Sequence, residues 1–119
     1  QTYRKYFSHE ILSRDTFPDA ISRAACEAGH NLEARAIIAF TKSGFTAALI
    51  SKYRPFIPII AFTSSETVRK RMLLNWGVQT IKIGTLHSLD EMIKKVEHIL
   101  VSNGLADRGD TIVIVSGAP

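Results

Sequence analysis

The hydrophobic and polar positions of the chain predict short strands that alternate with helices. Apolar or β-branched runs typical of parallel strands lie at 36–40, 57–62, 78–83 and 111–115. Apolar residues recur at helical spacing over 16–28, 46–53, 66–75 and 89–102. The run at 78–83 alternates apolar with polar residues and is placed near a sheet edge, whereas 111–115 is β-branched throughout and is predicted to be central.

This alternation predicts the fold class α/β, as a three-layer α/β/α sandwich around a mostly parallel sheet. Gly29 is expected to end the first helix, and Gly77 to close the third. In the third helix we expect Val68, Met72 and Leu73 to face the core.

The first fifteen residues have weak periodicity and mixed charge, so residues 1–15 are predicted to be an arm or linker that can be partly helical. Residues 16–119 form the predicted domain. The chain begins at Gln1 rather than methionine and ends at Pro119 directly after an apolar strand. We expect both ends to be cuts through a longer protein.

Composition and charge favour a globular domain and argue against a membrane-spanning or nucleic-acid-binding protein. The chain has 119 residues, 45% hydrophobic and 22% charged, which suits one globular domain, and no apolar run is long enough to cross a membrane. The net charge of +4 is spread along the chain except for Arg69-Lys70-Arg71, which we interpret as a solvated helix face rather than a nucleic-acid site. The one cysteine, Cys26, cannot form an internal disulfide, which favours a reducing compartment.

The segment 41–46 carries the most suggestive chemistry. It joins a predicted buried strand to a helix start, where free amide groups and the helix dipole favour an anion. Its residues offer three hydroxyls, one positive charge and a flexible glycine, from Thr41, Lys42, Ser43, Gly44, Phe45 and Thr46. The simpler interpretation is a helix start capped by the hydroxyl of Ser43 or Thr46. The pattern is neither a dinucleotide-binding nor a P-loop signature.

Other chemistry is not indicated. The four histidines show no metal-ligand spacing with cysteine or carboxylates, Ser43 has no evident base, and no carboxylate pair ends a strand. We therefore predict no catalytic residue, no metal site and no cofactor within this chain.

The sequence resembles the C-terminal domain of pyruvate kinase, in its bacterial form, over about residues 16–118. The runs T-x-S-G-x-T-A, S-x-x-R-P and P-I-x-A-x-T are the most specific. The residues that carry the resemblance are Asp19-Ala20-Ile21 with Ala24 and Ala25, then 41–47, 51–55, 58–63, 74–78, 104–110 and 113–117.

The resemblance implies a function. The full enzyme is a cytoplasmic tetramer that transfers phosphate from phosphoenolpyruvate to ADP with Mg and K ions, in a separate barrel domain. The C-terminal domain contributes an oligomer interface and an effector site, in which the loop matching 41–46 holds a phosphate and Ser116 and Gly117 lie nearby. A last, antiparallel strand that follows in the family is apparently missing here, which would leave the strand 111–115 with an open edge.

Several alternatives stay open. Phe45 stands where some members regulated by fructose bisphosphate have arginine, so the effector can be a sugar phosphate, such as ribose 5-phosphate, or AMP. The chain can also be a purely structural oligomerisation module, or a free-standing α/β domain with an unknown ligand. No nucleic-acid or membrane partner is expected. The apolar helix 46–53 and Phe56 predict self-association.

Overall fold

A computed structural model describes residues 8–13, 18–85 and 87–116 of the chain. Strands and helices alternate throughout this part. Their order is β1 (Ser8–Ser13), α1 (Pro18–Asn31), β2 (Ala36–Phe40), α2 (Phe45–Lys52), β3 (Ile59–Thr63), α3 (Glu66–Met72), β4 (Val78–Lys82), α4 (Leu89–Ser102) and β5 (Thr111–Ser116).

The strands form one sheet in the order β1-β5-β2-β3-β4, and the pairings between the described strands are all parallel. β5 and β2 lie side by side, with Phe40 opposite Ser116 at their carboxyl ends. β4 is an edge strand and β5 is internal, as the sequence predicts. The α/β class and the mostly parallel sheet are confirmed.

The two faces of the sheet are covered by different helices, because successive side chains of a strand point to opposite faces. Ile38 packs with α4 residues such as Val96 in one core cluster. Ile37 packs with Cys26 of α1 and Ile50 of α2 in another. A smaller cluster joins α2 and α3. The helices therefore form the outer layers of the predicted sandwich.

The C-terminal end of α1 differs from the prediction. The helix continues through Gly29 to Asn31, so Gly29 does not end it. Instead, a Cβ atom at position 29 would lie 2.6 Å from Cδ1 of Ile57. The glycine is therefore explained by the close approach of the segment before β3 and not by a helix cap.

The end of α3 also differs. The helix stops at Met72 rather than near residue 75, and Leu73 is 56% exposed instead of buried. Val68 and Met72 are buried as predicted. Leu73 begins a series of turns, so its side chain no longer follows the periodicity that would bring it to the core.

β1 corrects the expectation for the start of the chain. Residues 8–13 are a strand and not a linker or helix, and they pair with β5 along its whole length. The open edge expected for 111–115 is thus covered in the described part. An edge strand shows a weaker apolar pattern than a central one, which is why periodicity missed it. The domain boundary at residue 15 and the missing antiparallel strand stay predictions, and Thr16 lies outside the described residues.

Candidate functional site

The loop 41–46 lies at the carboxyl end of β2, next to the carboxyl end of β5. The register brings Phe40 opposite Ser116, so the backbone of Ser116 is adjacent to the start of the loop. Gly117 lies outside the described residues. In open parallel sheets, ligands are bound beyond the carboxyl ends of the strands. The loop therefore occupies the edge of the sheet where a ligand is expected.

The side chains of the loop divide into two groups by exposure. Thr41 and Thr46 are buried, whereas Lys42, Ser43 and the apolar Phe45 are exposed. The two threonines are thus part of the loop's support, and the lysine and serine are available to a ligand from solvent.

Gly44 is required by both conformation and space. It is the N-cap of α2 with φ of 87°, in the left-handed region that favours glycine. A Cβ atom there would lie 3.0 Å from Cγ of Met72 on α3. Any other residue would be strained and would also press on α3.

The loop's own hydroxyls hold two of its amide groups. The Gly44 amide donates to Oγ1 of Thr41 at 2.8 Å, and the Phe45 amide donates to Oγ of Ser43 at 3.2 Å. The N-cap residue itself makes no side-chain capping bond. The hydroxyls of Thr41 and Ser43 therefore serve as acceptors for the amide groups at the start of α2.

Arg71 is a part of the site that sequence reasoning missed. Its Nη2 atom donates to the Ser43 carbonyl oxygen at 2.8 Å, from α3 and across 28 positions of sequence. The sequence pattern predicts that the basic run containing it is a solvated face, and Arg71 is indeed exposed. Arg69 is half-buried and pairs with Glu66 at 2.7 and 2.8 Å. What the prediction lacks is the bond from Arg71 to the loop. Charge alone could not distinguish the two arginines.

The loop and α3 enclose a shallow groove. Phe45, which is 55% exposed, and Arg71 both line it. The groove is lined by Ser43, Gly44, Phe45, Ala48, Arg71, Met72, Leu74 and Asn75. Its lining combines the guanidinium of Arg71 with the apolar side chains of Phe45, Met72 and Leu74.

Other candidate chemistry is sparse in the part of the chain described by the structure. Residues 8–13, 18–85 and 87–116 contain no group of three or more His, Cys, Asp and Glu side chains that could hold a metal. In the same residues no helix is both long and apolar enough to cross a membrane. Burial raises the pKa of the Cys26 thiol, with a smaller contribution from Glu27, so this cysteine is a poor nucleophile at neutral pH.

The fold and the loop first define a class: a parallel α/β domain with a hydroxyl-rich, glycine-containing loop at the carboxyl end of a central strand. Comparison with known proteins then gives the family. The model of the pyruvate kinase alpha/beta domain matches residues 19–119. The chain belongs to this family, and the resemblance seen in the sequence is confirmed.

Individual relatives agree with the family match. The chain is 40% identical to pyruvate kinase from Geobacillus stearothermophilus over 107 residues, which is 90% of this chain and 18% of that protein. It is 38% identical to the Clostridium perfringens pyruvate kinase, covering 88% of this chain and 22% of that one. A crystal structure of Cryptosporidium parvum pyruvate kinase superimposes with a TM-score of 0.81 at 34% identity, covering 85% of this chain and 21% of the other.

The chain thus spans about a fifth of the length of the relatives it matches. One of the solved structures of the Cryptosporidium parvum enzyme is a complex with ADP. The similarity concerns the alpha/beta domain, and the remaining four-fifths of those proteins has no counterpart here.

Proposed function

We propose that the chain is the C-terminal regulatory domain of a cytoplasmic pyruvate kinase. The complete enzyme would transfer phosphate from phosphoenolpyruvate to ADP in a barrel domain outside this chain. The family match and the one-fifth coverage of the relatives support this proposal. The Mg and K ions of such an enzyme would be held in its barrel domain; the described residues of this chain contain no group of three or more His, Cys, Asp and Glu side chains that could hold a metal ion.

Within that enzyme, the loop 41–46 is the binding site for an effector phosphate. The observation that carries the proposal is the start of α2, which has a glycine N-cap, no side-chain capping bond and no acidic residue in its first turn. Its dipole is therefore not neutralised by the chain's own carboxylates. Ser43 and Thr41 supply hydroxyls, Lys42 supplies charge, and the ends of β2 and β5 meet beside them.

The effector is a sugar phosphate or AMP. Where some members regulated by fructose bisphosphate have arginine, this chain has Phe45, whose exposed side chain offers an apolar surface and no charge. A ligand that needs no cation at this position therefore suits the described residues better than one that does. Ser116 and Gly117 belong to the same site by sequence position.

Activation of the full-length enzyme by its effector tests the proposal, with the variant Ser43→Asp. A carboxylate at position 43 would occupy the phosphate position and repel the effector. Because acidic residues are tolerated at helix starts, the fold should persist. We expect unchanged basal activity and loss of the response to the effector.

Ser88→Asp is the matched control. Ser88 caps α4 through its side chain, and aspartate is an equally good N-cap residue, so this variant adds the same charge at another helix start. It should respond to the effector like the unmodified enzyme. A full response from Ser43→Asp would show that the loop is only a helix cap, and the purely structural interpretation would then hold.

We also propose that the domain contributes to assembly of a tetramer. Half of α2 is not accessible to another copy of the chain, because four of its eight residues are buried within the domain: Thr46, Ala47, Ile50 and Ser51. Phe56, beside it, is 95% exposed and offers the apolar surface that a neighbouring copy could cover. Sedimentation that shows only monomer at high concentration would count against this role.

A further inference from the structure

The peptide group between Ser43 and Gly44 is held at both of its polar atoms. Its N–H donates to Oγ1 of Thr41, and its carbonyl oxygen accepts from Nη2 of Arg71, each at 2.8 Å. Since a peptide group is planar, its two polar atoms turn together. A ligand that reorients the amide therefore also turns the carbonyl oxygen that accepts from Arg71.

Arg71 is connected directly to the turn that follows α3. Its carbonyl oxygen accepts from the Leu74 amide at 3.2 Å, and the Met72 carbonyl oxygen accepts from the Asn75 amide at 3.0 Å. Met72 is also the residue against which Gly44 packs. A displacement at the loop thus reaches the turn through a guanidinium bond and through a van der Waals contact.

The same turn also contacts the C-terminal end of α2. Oγ of Ser51 donates to the Trp76 carbonyl oxygen at 2.6 Å, and the Arg54 guanidinium lies 5.2 Å from the centre of the Trp76 ring. α2 has eight residues, or about 12 Å of helix. The segment 71–76 therefore contacts both the phosphate loop and the far end of the helix that begins there.

We propose that the Ser43–Gly44 peptide is a switch whose orientation Arg71 transmits to Trp76. Phosphate in the loop 41–46 would then alter the surface that the turn presents, where Leu74 is 88% exposed. This inference rests on the proposed phosphate site and adds to it the route by which occupancy is communicated. By reciprocity, whatever covers the turn would change the phosphate affinity of the loop.

Trp76 is the single tryptophan of the chain, so its fluorescence reports the turn alone. The experiment titrates the full 119-residue chain with inorganic phosphate and follows two signals, the NMR shifts of the Ser43 and Gly44 amides and the emission of Trp76. In the unmodified chain both signals should change with the same midpoint. In Arg71→Gln the amide shifts of the loop should be retained, whereas most of the change in Trp76 emission should be lost. In Arg71→Lys part of the change in Trp76 emission should return.

Lys70→Gln is the matched control, because it removes a neighbouring exposed positive charge and should leave both signals as in the unmodified chain. A Trp76 emission that stays constant while the loop titrates would overturn the proposal. A Trp76 change of full size in Arg71→Gln would overturn it equally.

A second comparison needs no ligand. Gly44→Ala places a methyl group 3.0 Å from Met72, whereas Gly104→Ala, also at positive φ, meets nothing within 4 Å. We expect Gly44→Ala to shift the Trp76 indole resonance and Gly104→Ala to leave it in place. If the loop binds no phosphate, the proposed function fails. If Gly44→Ala leaves Trp76 unmoved, the coupling fails whether or not phosphate binds.

Discussion

The first turns of α2 and α4 present their free amide groups in different ways. At α4, Oγ of Ser88 accepts from the Glu91 amide at 3.1 Å, and the Glu91 carboxylate accepts from the His87 amide at 2.6 Å. The arrangement is similar to a capping box, except that the carboxylate accepts from the residue before the N-cap, and the chain supplies both the acceptors and the negative charge. At α2 the N-cap Gly44 makes no side-chain capping bond, the Phe45 amide donates to the neutral hydroxyl of Ser43, and the first turn contains no acid.

This difference between α2 and α4 indicates which helix start can bind an anionic ligand. α3 resembles α4, with Ser65 as a side-chain cap and Glu66 in the first turn. At both of these starts a phosphate would have to compete with a carboxylate on the same turn. At α2 it competes only with the neutral hydroxyls of Thr41 and Ser43.

Replacing Gly44 should have the largest effect on stability. Gly44→Ala forces an L-residue into the left-handed region and against Met72, and should reduce the free energy of unfolding by about 1–3 kcal/mol. Gly104→Ala has the same conformational penalty without the contact and should cost less. Urea unfolding of both variants measures the difference, and equal losses would mean that the contact with Met72 is unimportant.

Removing hydroxyl groups should have an intermediate effect and should separate the two helix starts. Ser88→Ala removes an N-cap and should cost about 1 kcal/mol. Ser43→Ala removes a bond to an exposed amide that can be replaced by water, so its loss should be smaller. Thermal unfolding compares them, and a larger loss for Ser43→Ala would indicate that α2 depends on its loop for capping.

The smallest effect concerns pH at the start of α3. The hydrogen bond from Arg69, aided by its charge, holds the pKa of the Glu66 carboxyl below its usual value. Because the folded-state pKa is the lower one, the stabilisation is present above the unfolded pKa and is lost as pH falls through the folded pKa. Glu66→Gln should therefore differ from the unmodified chain at neutral pH and converge with it in acid, by unfolding measured across pH. A difference that grows in acid would contradict this sign.

Periodicity predicted most of the fold because most elements are amphipathic or apolar along their whole length. β1 was not predicted, because an edge strand of mixed apolar and polar residues has no clear periodicity. Gly29 was mispredicted for a different reason. A glycine that is required by the close approach of Ile57 cannot be distinguished in the sequence from a glycine that ends a helix.

The candidate site was predictable only in its local part. The loop 41–46 follows from residue type and from its place between a strand and a helix, and its neighbour Ser116 follows from the strand order that the family resemblance implies. Arg71 could not be found in the same way, because its bond to Ser43 depends on how α3 packs beside α2. Which arginine of the run 69–71 turns towards the loop is decided by tertiary structure.

The amide NMR spectrum of the chain during titration with inorganic phosphate tests the central claim most directly, because it compares the three helix starts in one experiment. We expect saturable shifts of the Ser43 to Thr46 amides with a dissociation constant of roughly millimolar, near −4 kcal/mol. The first-turn amides of α3 and α4 should stay in place, since carboxylates already occupy those turns. Shifts of equal size at all three starts, or no shift at α2, would contradict an anion site in the loop.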